Sequence, residues 1–144
     1  MSTAQLGNLV KIGQLKQESP DREQFDGMIR SARIRLADIN VQGLSEAGRF
    51  SAAYGAAYGA AYSLAAAALR WYGFRPENRF IAFQCLRHTV GLEAGKVRFL
   101  GKCHDIRNQA EYEGILDTTP QLLEELISVT RELLRAVEAL ETVK

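Results

Sequence analysis

Residues 50–69 read FSAAYGAAYGAAYSLAAAAL, a run of twenty residues without a charge. The length matches a membrane span, and Gly55-x-x-x-Gly59 is the spacing at which membrane helices approach closely. Only Phe50, Leu64 and Leu69 in the run are strongly apolar, however, and the remainder is mostly Ala, Gly, Tyr and Ser. Insertion energy per residue is then close to zero, and three tyrosines belong at an interface rather than at mid-span. The stretch therefore reads as the central helix of a globular protein, enclosed by neighbours. Gly55 and Gly59 are expected to admit another helix, and Tyr54, Tyr58 and Tyr62 form a slowly drifting stripe, read as buried core rather than a ligand-binding stripe. The AAYG pattern lasts under four turns, too short for a solenoid repeat.

Outward from this run, the chain is punctuated by helix starts and stops. Gly73 is a C-terminal stop for the Ala-rich helix, and Arg75-Pro76 is expected to open the next. Upstream, Ser19-Pro20-Asp21 supplies an N-cap, a first-turn proline and an acid, so a helix is predicted from there to Gly43. It runs through the apolar residues Phe25, Met28, Ile29, Ala32, Ile34, Leu36 and Ile39, and Arg30, Arg33 and Arg35 mark its outer face. Ser45-Glu46 would begin the Ala-rich helix itself. Residues 3–17 suit a short amphipathic helix weakened by Gly7 and Gly13. Phe80, Ile81, Phe83, Cys85, Leu86 and Val90 are the apolar residues of a helix beyond Pro76, and Gly91 and Gly95 mark a break after it. Downstream, Asp117-Thr118-Thr119-Pro120 is another cap, followed by Leu122, Leu126, Val129, Leu133, Val137 and Leu140 at alternating fours and threes, a bundle seam. No convincing strand alternation or hairpin turn occurs. The pattern predicts an all-α protein, an antiparallel four- to five-helix bundle. It forms one domain over residues 1–144, with a core of about 20–142 and an N-terminal extension of 1–18.

A chain of 144 residues with 47% hydrophobic and 24% charged residues is long enough to bury a core without staples. Cys85 and Cys103 show no ligand-like spacing, which points to free buried thiols, to no disulfide or zinc, and to a reducing compartment. The N-terminus lacks a basic region followed by an apolar block, so a cytoplasmic protein with no membrane anchor is expected. The net charge of +1 hides a gradient. From Arg70 to Arg107 eight basic residues face three acidic ones, and from Asn108 onward three basic residues face eight acidic ones. A basic middle suits a phosphate-bearing partner, and it suits helix–helix complementarity equally well.

The chemistry concentrates in His104-Asp105-Ile106-Arg107-Asn108-Gln109-Ala110-Glu111-Tyr112. On a helix, Arg107, Asn108, Glu111 and Tyr112 lie within about 80° of His104, whereas Phe99, Cys103, Ile106 and Ala110 line the other side. One reading is a solvated face with an Arg107–Glu111 pair and a His104–Asn108 hydrogen bond. The other is a site for a phosphate or carboxylate built on Arg107. There is no Glu-x-x-His, no HExxH, no Gly-rich phosphate loop and no nucleophile elbow, so no cofactor or metal is called for.

The segments AYGAAYSLAAAALRWYGFRPENRF and HDIRNQAEYEG resemble the HEPN domain, a small helical bundle of prokaryotic toxin–antitoxin and defence proteins. The likeness spans roughly residues 20–140, and two short segments carry it. It implies a homodimer whose paired helices line a cleft, often a metal-independent ribonuclease in which the 2′-OH attacks the adjacent phosphate. In that scheme a motif Arg, here Arg107 followed by Asn108, stabilises the charged transition state, and a His a few residues on moves protons. This chain departs from the motif by placing Tyr112 where that His is expected. A phenol is ionised only about one part in a thousand at pH 7, so it donates hydrogen bonds or stacks rather than acting as a base. His104, one turn earlier, is the nearby proton carrier, while His88 reads as structural. Arg79 occupies a position where relatives often carry a polar residue or His. The expected site is thus Arg107, Asn108, Tyr112 and His104. The expected partners are a second copy, RNA or a nucleotide, and a nucleotidyltransferase-type antitoxin. The rival class is a non-catalytic helical module that docks such a partner.

Overall fold

The computed structural model describes residues 3–40 and 46–143. They form helix α1 (Thr3–Lys11), strand β1 (Leu15–Gln17), helix α2 (Arg22–Ala37) and a short 3-10 turn at Asp38–Asn40. Helix α3 (Glu46–Tyr72), strand β2 (Phe74–Pro76), helix α4 (Arg79–Gln84), helix α5 (Leu86–Thr89), helix α6 (Ala94–Glu113) and helix α7 (Pro120–Val143) follow. The protein is thus mostly helical, as its periodicity predicts. Gly43 and Ser45, the anticipated end and start on either side of the α2–α3 join, lie outside the described residues.

Helix α3 is the centre. It packs against α2, α7, β2 and α4 through α6. Ala57, Ala60, Ala61, Ala65, Ala67 and Ala68 are fully buried along it, and Leu64 and Leu69 have no exposed surface. The alanines keep neighbouring helices close, and each leucine contributes roughly 2 kcal/mol by removing its apolar surface from water. Tyr54 and Tyr58 are buried, as the core reading of the stripe requires, and Tyr62 is half-buried. No helix among the described residues is long and apolar enough to cross a membrane. Of the two glycines expected to admit another helix, one does so and the other does not. Gly59 lies against the side chain of Arg35 from α2, whereas Gly55 is exposed and faces open space. In α7 the seam residues Leu126, Val129, Leu133 and Val137 are buried, and Thr119 caps the helix by accepting from the Leu122 N–H at 3.1 Å.

Three boundaries differ from the sequence reading. The cap of α2 is Asp21 rather than Ser19, because the Asp21 carboxylate accepts from the Gln24 N–H at 3.0 Å. Arg75-Pro76 opens no helix but lies in β2, and α4 starts three residues after Pro76, at Arg79, behind Asn78, whose side chain accepts from the Ile81 N–H. Residues 3–17 are not one helix: α1 ends at Lys11, Gly13 turns the chain at φ +81°, and Leu15–Gln17 becomes a strand. That strand pairs antiparallel with β2, setting Leu15 opposite Pro76, Lys16 opposite Arg75 and Gln17 opposite Phe74. Leu6 of α1 and Leu15 of β1 both belong to the hydrophobic core.

The clip is fastened by charge. Arg70, 2% exposed, donates to the carbonyls of Ser19 (2.6 Å), Glu18 (3.3 Å) and Phe74 (3.4 Å) and to the Gln24 side chain (2.9 Å). Its guanidinium also lies 3.2 Å from the Glu18 carboxylate, which Arg75 grips with two further bonds. The Arg75 hydrogen bonds, with help from Arg70, hold the Glu18 carboxyl below its ordinary range. A buried guanidinium needs this full set of acceptors to offset its lost hydration.

Candidate functional site

The α6 segment places its polar residues on the side that faces α3 and α4. Val97, Leu100, Gly101, Cys103 and Ile106 anchor the helix in the core. Gly101 gives Phe80 of α4 room to lie against the helix backbone, since a Cβ there would come within 3.3 Å of the Phe80 ring. One turn on, His104 is half-buried among aromatic rings: Tyr58 at 6.2 Å, Phe80 at 6.0 Å and Phe83 at 6.3 Å between centroids.

Both imidazole nitrogens are engaged. Nδ1 lies 2.8 Å from the Tyr58 hydroxyl, and Nε2 lies 3.1 Å from the side-chain nitrogen of Asn108. With the amide N–H of Asn108 donating to Nε2, the neutral ring donates from Nδ1 to the phenol oxygen, which is one donor and one acceptor. Burial lowers the His104 pKa; Asp105 opposes that shift, and Arg107 and Arg79 reinforce it. Burial raises the Tyr58 pKa, against hydrogen bonding from Arg79 and the positive charges of Arg79 and Arg107. The pair is a neutral phenol and a neutral imidazole at pH 7. In this arrangement His104 must give up one hydrogen bond before it can carry a proton.

Arg107 sits beside them. Its guanidinium carbon is 5.3 Å from the centre of the Tyr58 ring, a cation–π contact, and its terminal nitrogen is 2.7 Å from the Glu111 carboxylate. The side chain is 28% exposed and that of Glu111 54%, so the pair is wet, weakly held and open to competition. The (i, i+4) contacts expected from spacing, Arg107–Glu111 and His104–Asn108, are both present. Tyr112 stands apart from them, 87% exposed, with no hydrogen bond or ring contact among the described residues.

The structure thus joins His104, Arg107 and Asn108 into one cluster and adds three residues that the helix pattern alone did not link to it. Tyr58 joins from α3, while Arg79 and Phe80 join from α4. The Arg79 guanidinium lies 4.7 Å from the Tyr62 ring centre, one turn of α3 from the Tyr58 that Arg107 covers. A signal existed in the (i, i+4) tyrosines of α3 and the adjacent Arg79-Phe80 pair, but not their proximity to α6.

Other features carry no comparable chemistry. Cys85 and Cys103 are free and buried, and burial pushes their thiols up to about 11 and about 12, so both stay protonated. Burial, with Arg87, lowers the pKa of half-buried His88. A cavity of about 180 Å³ beside Asp21, Phe25, Arg70 and Trp71 holds none of the α6 residues. No group of three or more potential metal ligands occurs among the described residues. No protein-family model, curated protein or solved structure matches this chain.

Proposed function

We propose that this chain is a HEPN-like antiparallel bundle of four to five helices that acts on RNA or nucleotides as a dimer, within a toxin–antitoxin or stress system. The observation that carries the reading is the partly exposed Arg107 guanidinium, laid on Tyr58 next to the His104–Asn108 pair and paired with the wet carboxylate of Glu111. Such a group exchanges Glu111 for a phosphate oxygen with little cost. Binding is favoured over cleavage, because both nitrogens of His104 are committed and Tyr112 is no substitute base.

Fluorescence anisotropy with labelled RNA tests the proposal. Affinity should fall with salt, and Arg107→Ala should weaken it about tenfold while reducing the salt slope by about one. Absence of RNA binding by the parent at low salt ends the proposal. Incubation of RNA with EDTA distinguishes the two forms of the activity. Cleavage lost in both His104→Ala and Arg107→Ala makes the protein a ribonuclease, and binding without cleavage makes it a binding member.

The second reading, a helical module docking a nucleotidyltransferase-type partner, draws on Tyr112 and Ile115. These large side chains, in the last turn of α6 and just beyond its Gly114 cap, are 87% and 59% exposed. Stable co-purification with such a partner, abolished by Tyr112→Ser together with Ile115→Ser and indifferent to Arg107→Ala, would favour it.

A further inference from the structure

The RNA-directed reading rests on Arg107, yet the same cluster holds a second guanidinium, that of Arg79, which has no carboxylate on it among the described residues. Arg79 and Arg107 come from different helices, α4 and α6, and each covers one of two tyrosines a single turn apart on α3, Tyr62 at 4.7 Å and Tyr58 at 5.3 Å. Because Tyr58 and Tyr62 are neighbours on one face of α3, the two positive groups lie over adjacent rings, and both act electrostatically on the Tyr58 phenol and on His104. Arg107 has Glu111 to neutralise it, whereas no ion pair engages Arg79 among the described residues. Contact with a phenol face attracts each guanidinium while leaving its N–H groups able to donate. Next to Arg79, Phe80 is 40% exposed, with its ring edge against Gly101 and its centroid 6.0 Å from that of His104. An exposed phenylalanine beside two aromatic-mounted arginines has the composition of a surface that binds a backbone phosphate and stacks its base.

We infer that Arg79 is a second phosphate contact and Phe80 a base-stacking platform, so that the ligand of this face is unpaired RNA rather than a duplex. The inference rests on the RNA-directed reading and adds to it the strandedness of the ligand and two residues. A paired base cannot present its face to Phe80, because its neighbours in the duplex already cover it. A phosphate between the two guanidiniums and a base on Phe80 is also the chemistry of a free mononucleotide. A strand differs by offering a second phosphate, so it should bind more tightly than AMP.

The test is anisotropy at low salt with a labelled ten-nucleotide single strand, the same sequence as a duplex, and AMP as competitor. The parent should prefer the single strand to the duplex about tenfold. Arg79→Ala should weaken the single strand about tenfold, Arg79→Lys should restore part of that loss by charge without the fork, and Phe80→Ala should weaken it about tenfold. Phe80→Leu, which keeps the packing on Gly101, should also bind weakly although it folds normally. Arg131→Ala, on α7, controls for net charge and should change little. Equal affinity for strand and duplex, AMP competing as well as the strand, or full binding by Arg79→Ala would overturn the inference. If binding still depended on Arg107, the broader proposal would stand. A parent that binds no RNA would remove both.

Discussion

The hydroxyl of Tyr58 and Nδ1 of His104, 46 positions apart in the chain, meet at 2.8 Å across the α3–α6 interface. The contact orients the imidazole so that its other nitrogen meets Asn108, while burial favours the neutral ring. It also seats the ring over which Arg107 lies. One buried phenol therefore aligns three of the polar side chains on α6.

Neutrality of this histidine makes stability depend on pH. The unfolded chain holds His104 near the ordinary value of about 6.5, while burial lowers it in the fold. Acid thus protonates the unfolded chain more readily. The stabilisation is complete above about pH 6.5 and is lost as pH falls below that value through the folded pKa. His88 is shifted the same way and adds to the slope. Urea melts at pH 7.5, 6.5 and 5.5 should show stability falling with acidification, and His104→Gln should flatten part of that fall. Equal slopes in parent and variant would show that His104 contributes none of it.

The Arg107–Glu111 pair is predicted to be inhibitory. Glu111→Gln should cost no more than about 0.5 kcal/mol of folding stability, the size of an exposed (i, i+4) pair. The same change should raise affinity for RNA about threefold by removing both a competitor and a repelling charge. Chemical denaturation and anisotropy measure the two effects on one preparation, and weaker binding by the variant would refute the competition.

Two glycines should respond in opposite directions. Gly55 lies in mid-helix with open space around it, so Gly55→Ala should stabilise the protein by about 0.5–1 kcal/mol through helix propensity. At Gly73 the backbone sits at φ +91°, and an added Cβ would come within 3.3 Å of the Glu18 carbonyl oxygen. Gly73→Ala should destabilise by about 1–2 kcal/mol. Thermal melts decide both. A loss at Gly55→Ala would signal that this position is covered, as by a second copy, when the protein is in solution.

Removing the buried guanidinium should be costly. Arg70→Met preserves much of the stem but strands the carbonyls of Ser19 and Phe74 and the Gln24 side chain, for a loss of about 3 kcal/mol. Arg75→Met, at the exposed end of the same network, should lose less than about 1 kcal/mol. Equal losses in the two variants would argue against the buried network as the source of stability.

The long elements were readable before any coordinates because their determinants are local. The α7 seam repeats strictly enough to predict Leu126, Val129, Leu133 and Val137 as core, and Thr119 and Gly73 act at the ends where their chemistry places them. Asp21 took the α2 cap because its carboxylate is a strong acceptor at that distance, while the Ser19 carbonyl serves Arg70 instead. The strands β1 and β2 are three residues each, too short to display alternation, and each depends on a partner nearly sixty residues away. At the candidate site the helical repeat grouped His104, Arg107 and Asn108 correctly. It could not reveal that Tyr58, Arg79 and Phe80 close over them, because packing between helices is not written in the spacing along any one of them.

The clip between β1 and β2 also dictates an order of events during synthesis. Leu15–Gln17 leaves the ribosome long before Phe74–Pro76, and the acceptors of Arg70 at Glu18 and Ser19 wait equally long for their donor. The turn that carries β1 therefore cannot settle until the whole of α3 has emerged, so a segment made before α3 finds its place only after it.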